Sequence, residues 1–125
     1  MLTVLVADDE FAVLEVLSIA LEAEGHRVLK AGDGADALRV LSHHACDVVI
    51  CDDLMPVMNG YQLIAAIRAA PRLAATPVIM LCDTWGRALP ELDDIVVLGK
   101  PVPLARLFEA VERVTTSRRQ REPGV

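Results

Sequence analysis

The chain has few aromatic residues, no paired-cysteine motif and no long apolar run. Only 3% of its 125 residues are aromatic. The three cysteines, Cys46, Cys51 and Cys82, are odd in number and lack CxxC spacing. This pattern argues against a disulfide framework and a cysteine-held metal, and it predicts reduced thiols. No apolar stretch reaches the roughly 18 residues of a membrane span, and Met1–Val6 lacks the charged and long apolar regions of a secretory signal. We therefore expect a soluble, cytoplasmic protein.

Basic charge is also scarce. Eighteen acidic residues against twelve basic ones give a net charge of -6, and such a field repels nucleic-acid phosphates. The one basic cluster, Arg118, Arg119 and Arg121, lies near the C-terminus. We expect no direct contact with nucleic acid or membrane. A hydrophobic content of 54% predicts one domain over residues 1–117, followed by a polar C-terminal tail over 118–125.

Five short apolar runs alternate with helix-like segments. The predicted strands cover residues 2–7, 26–31, 47–52, 77–82 and 95–98. Helices are predicted over 10–24, from Asp33 to His43, over 60–70 and over 103–117. Gly86 and Pro90 interrupt the segment between the last two strands, where one or two helical turns are expected. The alternation predicts an α/β fold: a doubly wound five-stranded parallel sheet, order 2-1-3-4-5, with helices on both faces and a short or degenerate fourth helix.

The first helix is predicted to bury an apolar face. Its members are Phe11, Leu14, Leu17, Ile19 and Leu21, and Gly25 follows as a C-terminal stop.

Three of the predicted strands end in ionisable residues. Asp8 and Asp9 follow the first strand, Asp52 and Asp53 end the third, and Lys100 follows the fifth. Ligands of open parallel sheets bind beyond the carboxyl ends of the strands, so these side chains are expected to converge. Each acid alone is typical of a helix N-cap. Together they suggest a cation-assisted phosphate site.

Five motifs, in their order and spacing, resemble the receiver domain of two-component response regulators from Val4 to about Val114. The motifs are Val6-Ala7-Asp8-Asp9-Glu10, Ala31-Gly32-Asp33-Gly34, Asp52-Asp53-Leu54-Met55-Pro56-Val57-Met58-Asn59-Gly60, Pro77-Val78-Ile79-Met80-Leu81 and Lys100-Pro101. The resemblance implies a flavodoxin-like phosphoacceptor domain in phosphorelay signalling, and a signalling protein instead of an enzyme.

By this resemblance Asp52 is the phosphoacceptor, because it stands three residues before Met55-Pro56. Asp53 merely follows it in the loop. Lys100 is implied to contact the phosphoryl group and to serve as counter-ion of Asp52, and Pro101 to follow a cis bond. The chemistry agrees, since a carboxylate attacks phosphorus without a general base.

A divalent cation is the expected cofactor. Asp8, Asp9 and Asp52 make a hard oxygen site suited to Mg²⁺ or Mn²⁺, and the resemblance implies the backbone carbonyl of Leu54 as a further ligand. Without a cation the clustered carboxylates should repel one another and raise at least one pKa, so that the apo protein loses stability as pH rises.

The chain departs from the family at its switch positions. Cys82 stands where the family has Thr or Ser, Asp83 replaces a small residue, and Val97 replaces the aromatic residue expected three positions before Lys100. The usual relay from hydroxyl to aromatic ring is therefore absent. Asn59, where the family usually has Asp, is interpreted as the N-cap of the third helix.

The resemblance also implies partners. A sensor histidine kinase or phosphotransfer protein is expected as donor, and an output protein as a noncovalent partner. The fourth helix, fifth strand and last helix form the family's face for output or weak homodimerisation. Trp85 lies in this region and is expected to cap the core.

Three other interpretations remain open. The loss of the switch residues favours a receiver-like docking module that acts independently of phosphorylation. Gly32-Asp33-Gly34-Ala35-Asp36-Ala37 matches GxGxxA, with Asp52 twenty residues after Gly32, as in a dinucleotide-binding half-domain. An aspartyl phosphohydrolase also uses an Asp nucleophile with Mg²⁺, but by resemblance it needs an acid where Leu54 stands.

Overall fold

The computed structural model describes residues 1–84 and 88–121, with side chains to residue 118. The strands are β1 (Thr3–Ala7), β2 (Arg27–Ala31), β3 (Val48–Asp52), β4 (Val78–Cys82) and β5 (Ile95–Gly99). The helices are α1 (Phe11–Ala23), α2 (Gly34–His43), α3 (Gly60–Ala69) and α4 (Leu104–Arg121). The role predicted for Trp85 falls outside the described residues.

All five strands are parallel and lie in the order β2-β1-β3-β4-β5, which confirms the predicted sheet. The register places Ala7 beside Cys51, and Asp52 beside Leu81. On the last pair of strands, Cys82 lies beside Gly99. The residues that leave each strand therefore meet at a single edge of the sheet.

Helices cover both faces of this sheet. The face under α1 and α4 buries a core around Val6, Ile50 and Leu107. The opposite face, under α2 and α3, buries a second core around Leu41 and Leu63. Because β3 and β4 are buried along their whole length, they read as continuous apolar runs, as parallel strands covered on both sides do.

Side-chain caps begin α2 and α3. The Asp33 carboxylate accepts a hydrogen bond from the backbone N–H of Asp36 at 2.7 Å. The Asn59 side chain accepts from the N–H of Gln62, and the Gln62 side chain accepts from the N–H of Asn59, both at 2.9 Å. This reciprocal pair is a capping box, and it confirms the predicted N-cap at Asn59.

The buried face of α1 differs from the prediction. Leu14, Leu17 and Leu21 are buried, but Phe11 is 76% exposed and Ile19 is 65% exposed. At about 100° per residue, Ile19 lies some 200° around the helix from Leu17, on the solvent side. Phe11 is the first helical residue, so its ring lies at the carboxyl edge of the sheet, beyond the core.

The segment between β4 and β5 and the end of the final helix also differ from the prediction. Of the residues between β4 and β5, those described (83–84 and 88–94) form no helical turn, and only a hydrogen-bonded turn at 93–94 precedes β5. The final helix, predicted to end at 117, continues to Arg121. No Gly or Pro occurs between residues 104 and 122 to end the helix earlier. The start of the predicted tail is therefore helical. Within the described ranges, no helix combines the length and apolarity needed to cross a bilayer.

Gly34 brings α2 against the loop that follows β3. Its backbone N–H donates to the Met58 carbonyl oxygen at 2.9 Å. A Cβ atom at position 34 would lie 2.3 Å from that same oxygen, whereas a Cβ at Gly32 would meet nothing within 4 Å. The close approach of two backbones therefore requires glycine at 34 and not at 32.

We expect Gly34→Ala to lower the free energy of unfolding by about 1–3 kcal/mol, because overpacking against a backbone atom forces the loop to move. Gly32→Ala is the matched control and should stay within about 0.5 kcal/mol of the native chain. Urea unfolding curves of the three proteins test this. Equal losses in the two variants would contradict the close approach.

Candidate functional site

Three carboxylates converge at the carboxyl edge of the sheet. One oxygen each from Asp8, Asp9 and Asp52 lies within 4.8 Å of the others. Asp8 is held in place because its N–H donates to the Ala31 carbonyl at 3.1 Å and its Oδ1 accepts from the N–H of Glu10 at 2.9 Å. Asp8 and Asp52 are buried, while Asp9 is exposed. Such a set of oxygens suits a hard divalent cation.

Lys100 joins this cluster from the end of β5. Its Nζ donates to Asp52 Oδ1 at 2.8 Å, and its side chain is 18% exposed. The backbone N–H of Lys100 donates to the Cys82 carbonyl at 2.8 Å, which continues the pairing of β4 with β5. The Lys100–Pro101 peptide bond is cis, as the resemblance implied.

Burial dominates the electrostatics of the phosphoacceptor candidate. It raises the pKa of Asp52 to about 6, against the opposing effect of the hydrogen bond from Lys100. Burial also raises the pKa of Asp8. For Lys100 burial favours a lower pKa, but the hydrogen bond and charge of Asp52 outweigh it and the pKa is raised. The sequence prediction of a raised carboxylate pKa has the right direction, but it named repulsion where burial is the larger cause.

Asp53 is part of the site in a way that the sequence prediction missed. Its side chain is buried, with 7% of the residue exposed. Its N–H donates to the Leu81 carbonyl at 3.1 Å, so it extends the ladder of β3, and its Oδ1 accepts from the N–H of Leu54 at 2.9 Å. After burial, its proximity also helps to raise the pKa of the Asp52 carboxyl and that of the Cys82 thiol. A signal was available, because a fully buried strand leaves little room for the next residue to reach solvent.

Of the predicted switch positions, Cys82 and Asp83 lie close to the charged residues of the site. Cys82 is buried, and burial followed by the charge of Asp53 raises the pKa of its thiol to about 11. Asp83 is half-buried, and its charge contributes to raising the pKa of Lys100. Val97 is half-buried against the second core. The neutral thiol donates weakly, and a valine has no ring to relocate.

The remaining predicted residues favour neither a dinucleotide-binding half-domain nor an aspartyl phosphohydrolase. At the GxGxxA motif the backbone N–H groups of Gly32 and Asp36 donate to the Asp36 and Asp33 carboxylates, and that of Gly34 donates to Met58. The amides that a pyrophosphate would need are thus already bonded within the protein. Leu54, at the place of a phosphohydrolase's second acid, is 63% exposed.

Comparison with known proteins agrees with this arrangement. A family model described as the response regulator receiver domain matches residues 4–112. Protein PilH of Pseudomonas aeruginosa is 31% identical over 121 residues, which cover 91% of this chain and 98% of that protein. Response regulator GtcR of Aneurinibacillus migulanus is 39% identical over 79 residues, which cover 63% of this chain and 31% of that protein.

Solved structures give the same result. The crystal structure of the signal receiver domain of a signal transduction histidine kinase from Syntrophus aciditrophicus is 26% identical, with a TM-score of 0.83. The match covers 100% of this chain and 97% of that one. The fold is therefore shared with solved receiver domains.

We expect the stability of the cation-free protein to depend on Asp52 between about pH 4 and pH 6. The folded-state pKa is about 6 against an ordinary value of 3.8, so the folded chain keeps a proton that the unfolded chain loses in this window. The contribution is fully present below pH 3.8 and is lost as pH rises through about 6, at no more than about 1.4 kcal/mol per pH unit.

Urea unfolding of the native chain and Asp52→Asn, in chelator from pH 4 to pH 7, measures this difference. The native chain should lose stability relative to the variant as pH rises, because the variant has no carboxyl to ionise there. A difference in unfolding free energy that stays constant across the window would contradict the raised pKa.

Proposed function

The chain belongs to the response regulator receiver domain family of two-component systems, and on that premise we propose that it accepts a phosphoryl group on Asp52 from a phosphohistidine donor. The observation that carries the proposal is the setting of this one carboxylate. It lies at the end of a central strand, its oxygen accepts from Lys100 at 2.8 Å, and oxygens of Asp8 and Asp9 lie within 4.8 Å. Among the described residues, no other acid on this edge both accepts a hydrogen bond from a lysine and lies beside potential cation ligands.

The reaction needs charge neutralisation more than proton transfer. An oxygen of the ionised Asp52 carboxylate forms a bond to phosphorus, the bond from phosphorus to the donor's imidazole nitrogen breaks, and its electron pair stays on that nitrogen. Because the nucleophile is already an anion at neutral pH, no residue has to remove a proton. Lys100, which donates to Asp52 before transfer, supplies a positive charge for the phosphoryl oxygens after it.

The donor set fits Mg²⁺ or Mn²⁺ as cofactor. Asp8, Asp9 and Asp52 would supply carboxylate oxygens, and Leu54 would supply its backbone carbonyl. A cation held there offsets the carboxylate charge and neutralises the phosphoryl oxygens. The exposed Asp9 lies on the solvent side of the cluster, where the cation and the donor would enter.

The proposal includes partners and location. A sensor histidine kinase or phosphotransfer protein would be the donor, and an output protein would read the phosphorylated state, with a weak homodimer as a further proposal. The chain spans 31% of GtcR and 98% of PilH, so relatives carry this domain in proteins of different length. The cysteines Cys46, Cys51 and Cys82 are free, as expected for the reducing cytoplasm.

Treatment with acetyl phosphate and Mg²⁺ should add one phosphoryl group to the native chain and none to Asp52→Asn, as read by intact mass. A variant of the neighbouring acid, Asp53, is the matched control. Asp53→Asn should still gain the mass increment, because its Asp52 keeps both Lys100 and the cation ligands. A phosphoryl mass increment on Asp52→Asn that maps to another residue would contradict the assignment of Asp52.

Millimolar Mg²⁺ should raise the melting temperature of the native chain, because a ligand of the folded state stabilises it by mass action. At ten times the dissociation constant the gain is about 1.4 kcal/mol. Asp9→Ala should remove most of the gain while leaving the cation-free melting temperature nearly unchanged, since Asp9 is exposed. A melting temperature that does not respond to Mg²⁺ in the native chain would show that the carboxylates hold no cation.

A further inference from the structure

A groove of about 670 Å³ lies at the amino edge of the sheet, opposite the edge at which Asp52 ends β3. The strands β4 and β5 begin beside this groove, at Val78 and Ile95, and the end of α3 and the C-terminal part of α4 form its sides. A strand of five residues spans about 17 Å. The groove is therefore separated from the phosphoacceptor candidate by the length of the sheet.

Arg68 reaches this groove from the last turn of α3 with a fixed orientation. Its Nη1 donates to the Ala74 carbonyl at 3.0 Å and to the Thr76 carbonyl at 2.7 Å. A cation near a helix C-terminus offsets the helix dipole, and these two bonds explain the position of one guanidinium nitrogen. Within the described part of the chain, Nε and Nη2 have no hydrogen-bond acceptor. These two nitrogens form a fork that can donate to both oxygens of a carboxylate.

Arg113 adds a second guanidinium from α4. Its side chain is exposed, and it lies two helical turns before the end of α4 at Arg121, so the helix terminus does not explain it. Neither Arg68 nor Arg113 forms an ion pair with a carboxylate of the described residues. The groove therefore gathers positive charge on a chain whose net charge is -6, and this local charge is complementary to an anionic ligand.

Asp94 is an acidic residue in the lining of the same groove. Burial lowers the pKa of Arg68, and the charge of Asp94 opposes that effect. Asp94 has a φ of 60°, which lies in the left-handed region that aspartate and asparagine adopt more readily than most residues. A carboxylate that binds Arg68 is repelled by Asp94, so Asp94 limits the affinity of the groove for anions.

Aliphatic side chains make up most of the remaining lining, and Val78, Ile95 and Val114 are among them. The described lining contains no aromatic ring on which a nucleotide base could stack. Ile95 and Val96 belong to β5, the last strand in the sheet order, whose outer side pairs with no described strand. The backbone of such an edge strand can hydrogen-bond to an extended peptide. These features favour a peptide that combines carboxylates with aliphatic side chains.

We propose that this groove binds an acidic peptide segment of a partner protein, with Arg68 and Arg113 holding a carboxylate and aliphatic side chains covering Val78, Ile95 and Val114. The partner is thus recognised by a surface that lies away from Asp52. The inference does not depend on the proposed function, because no residue of the groove takes part in phosphoryl transfer.

A capped peptide that alternates glutamate with leucine is the probe, titrated into the ¹⁵N-labelled native chain at low ionic strength. The amide signals of Ile95, Val96 and Val114 should shift with one dissociation constant, while those of Asp52 and Lys100 stay in place. One control peptide has glutamine in place of glutamate, and another has alanine in place of leucine. Each should bind at least about threefold more weakly. Equal binding of all three peptides, or shifts confined to the carboxyl edge, would overturn the inference.

Two arginines of α4 make a matched pair of variants. Arg113→Gln removes a charge from the groove and should weaken binding about two- to fivefold, the effect of an exposed ion pair. Arg106→Gln removes the same charge two turns earlier, at an exposed position outside the lining of this groove, and should leave the dissociation constant unchanged. Arg68 is kept, because its bonds to Ala74 and Thr76 hold the loop before β4. Equal losses of affinity in the two variants would contradict a specific site.

Asp94→Asn should strengthen binding of the glutamate peptide about two- to fivefold, because it removes the repelling charge. Asparagine tolerates the φ of 60°, and a gain of affinity cannot result from a damaged fold. An affinity no higher than that of the native chain would overturn the inference. Asp52→Asn should bind the peptide as the native chain does, so failure of phosphorylation and failure of peptide binding are separate results.

Discussion

The buried ion pair between Lys100 and Asp52 is the interaction on which the rest of the site depends. The two residues are 48 positions apart in sequence, yet Nζ and Oδ1 are 2.8 Å apart at one edge of the sheet. Taking a carboxylate out of water is costly unless a partner compensates it, and here Asp8 and Asp53 bring further acids into the same buried space. Lys100 partly compensates the charge of these acids, and a cation among Asp8, Asp9 and Asp52 would complete the compensation. Lys100 is the single cation that hydrogen-bonds to Asp52 among the described residues, and the nearby acids favour the cation proposed above.

Much of this arrangement could be predicted from the sequence because it follows from two periodicities and a topology rule. Continuous apolar runs predicted the buried strands, and parallel strands leave their carboxyl ends at one edge, so Asp8, Asp52 and Lys100 had to meet. What the sequence did not reveal depends on three-dimensional surroundings. The exposure of Phe11 depends on where the core ends, and the extent of burial decides which effect dominates the pKa of Asp52. The resemblance placed Asp53 in the loop after the phosphoacceptor, and it does follow β3, but only the structure shows that it is buried there and that the N–H of Leu54 donates to its carboxylate.

Two glycines explain why the loop after β3 holds its shape. The Met58 carbonyl meets the N–H of Gly34 on one side, and Gly60 allows α3 to approach the backbone of Asp52 on the other. The glycine at 34 therefore serves packing, which removes the main support for a dinucleotide site. The loop between these two contacts carries the exposed side chains of Leu54 and Val57.

A phosphoryl group moves a conformational equilibrium only as far as its contacts differ between the two states. On the β5 side we expect those differences to be small, because the Cys82 thiol is a weak donor and Val97 carries no ring. On the α3 side, the backbone N–H of Gly60, the first residue of that helix, donates to the Asp53 carbonyl at 3.0 Å, so the helix begins directly beside the two acids. A donor must approach the same edge of the sheet to reach Asp52. An output protein that recognises this edge would bind only after the donor has left, so the donor and the output protein would bind in turn.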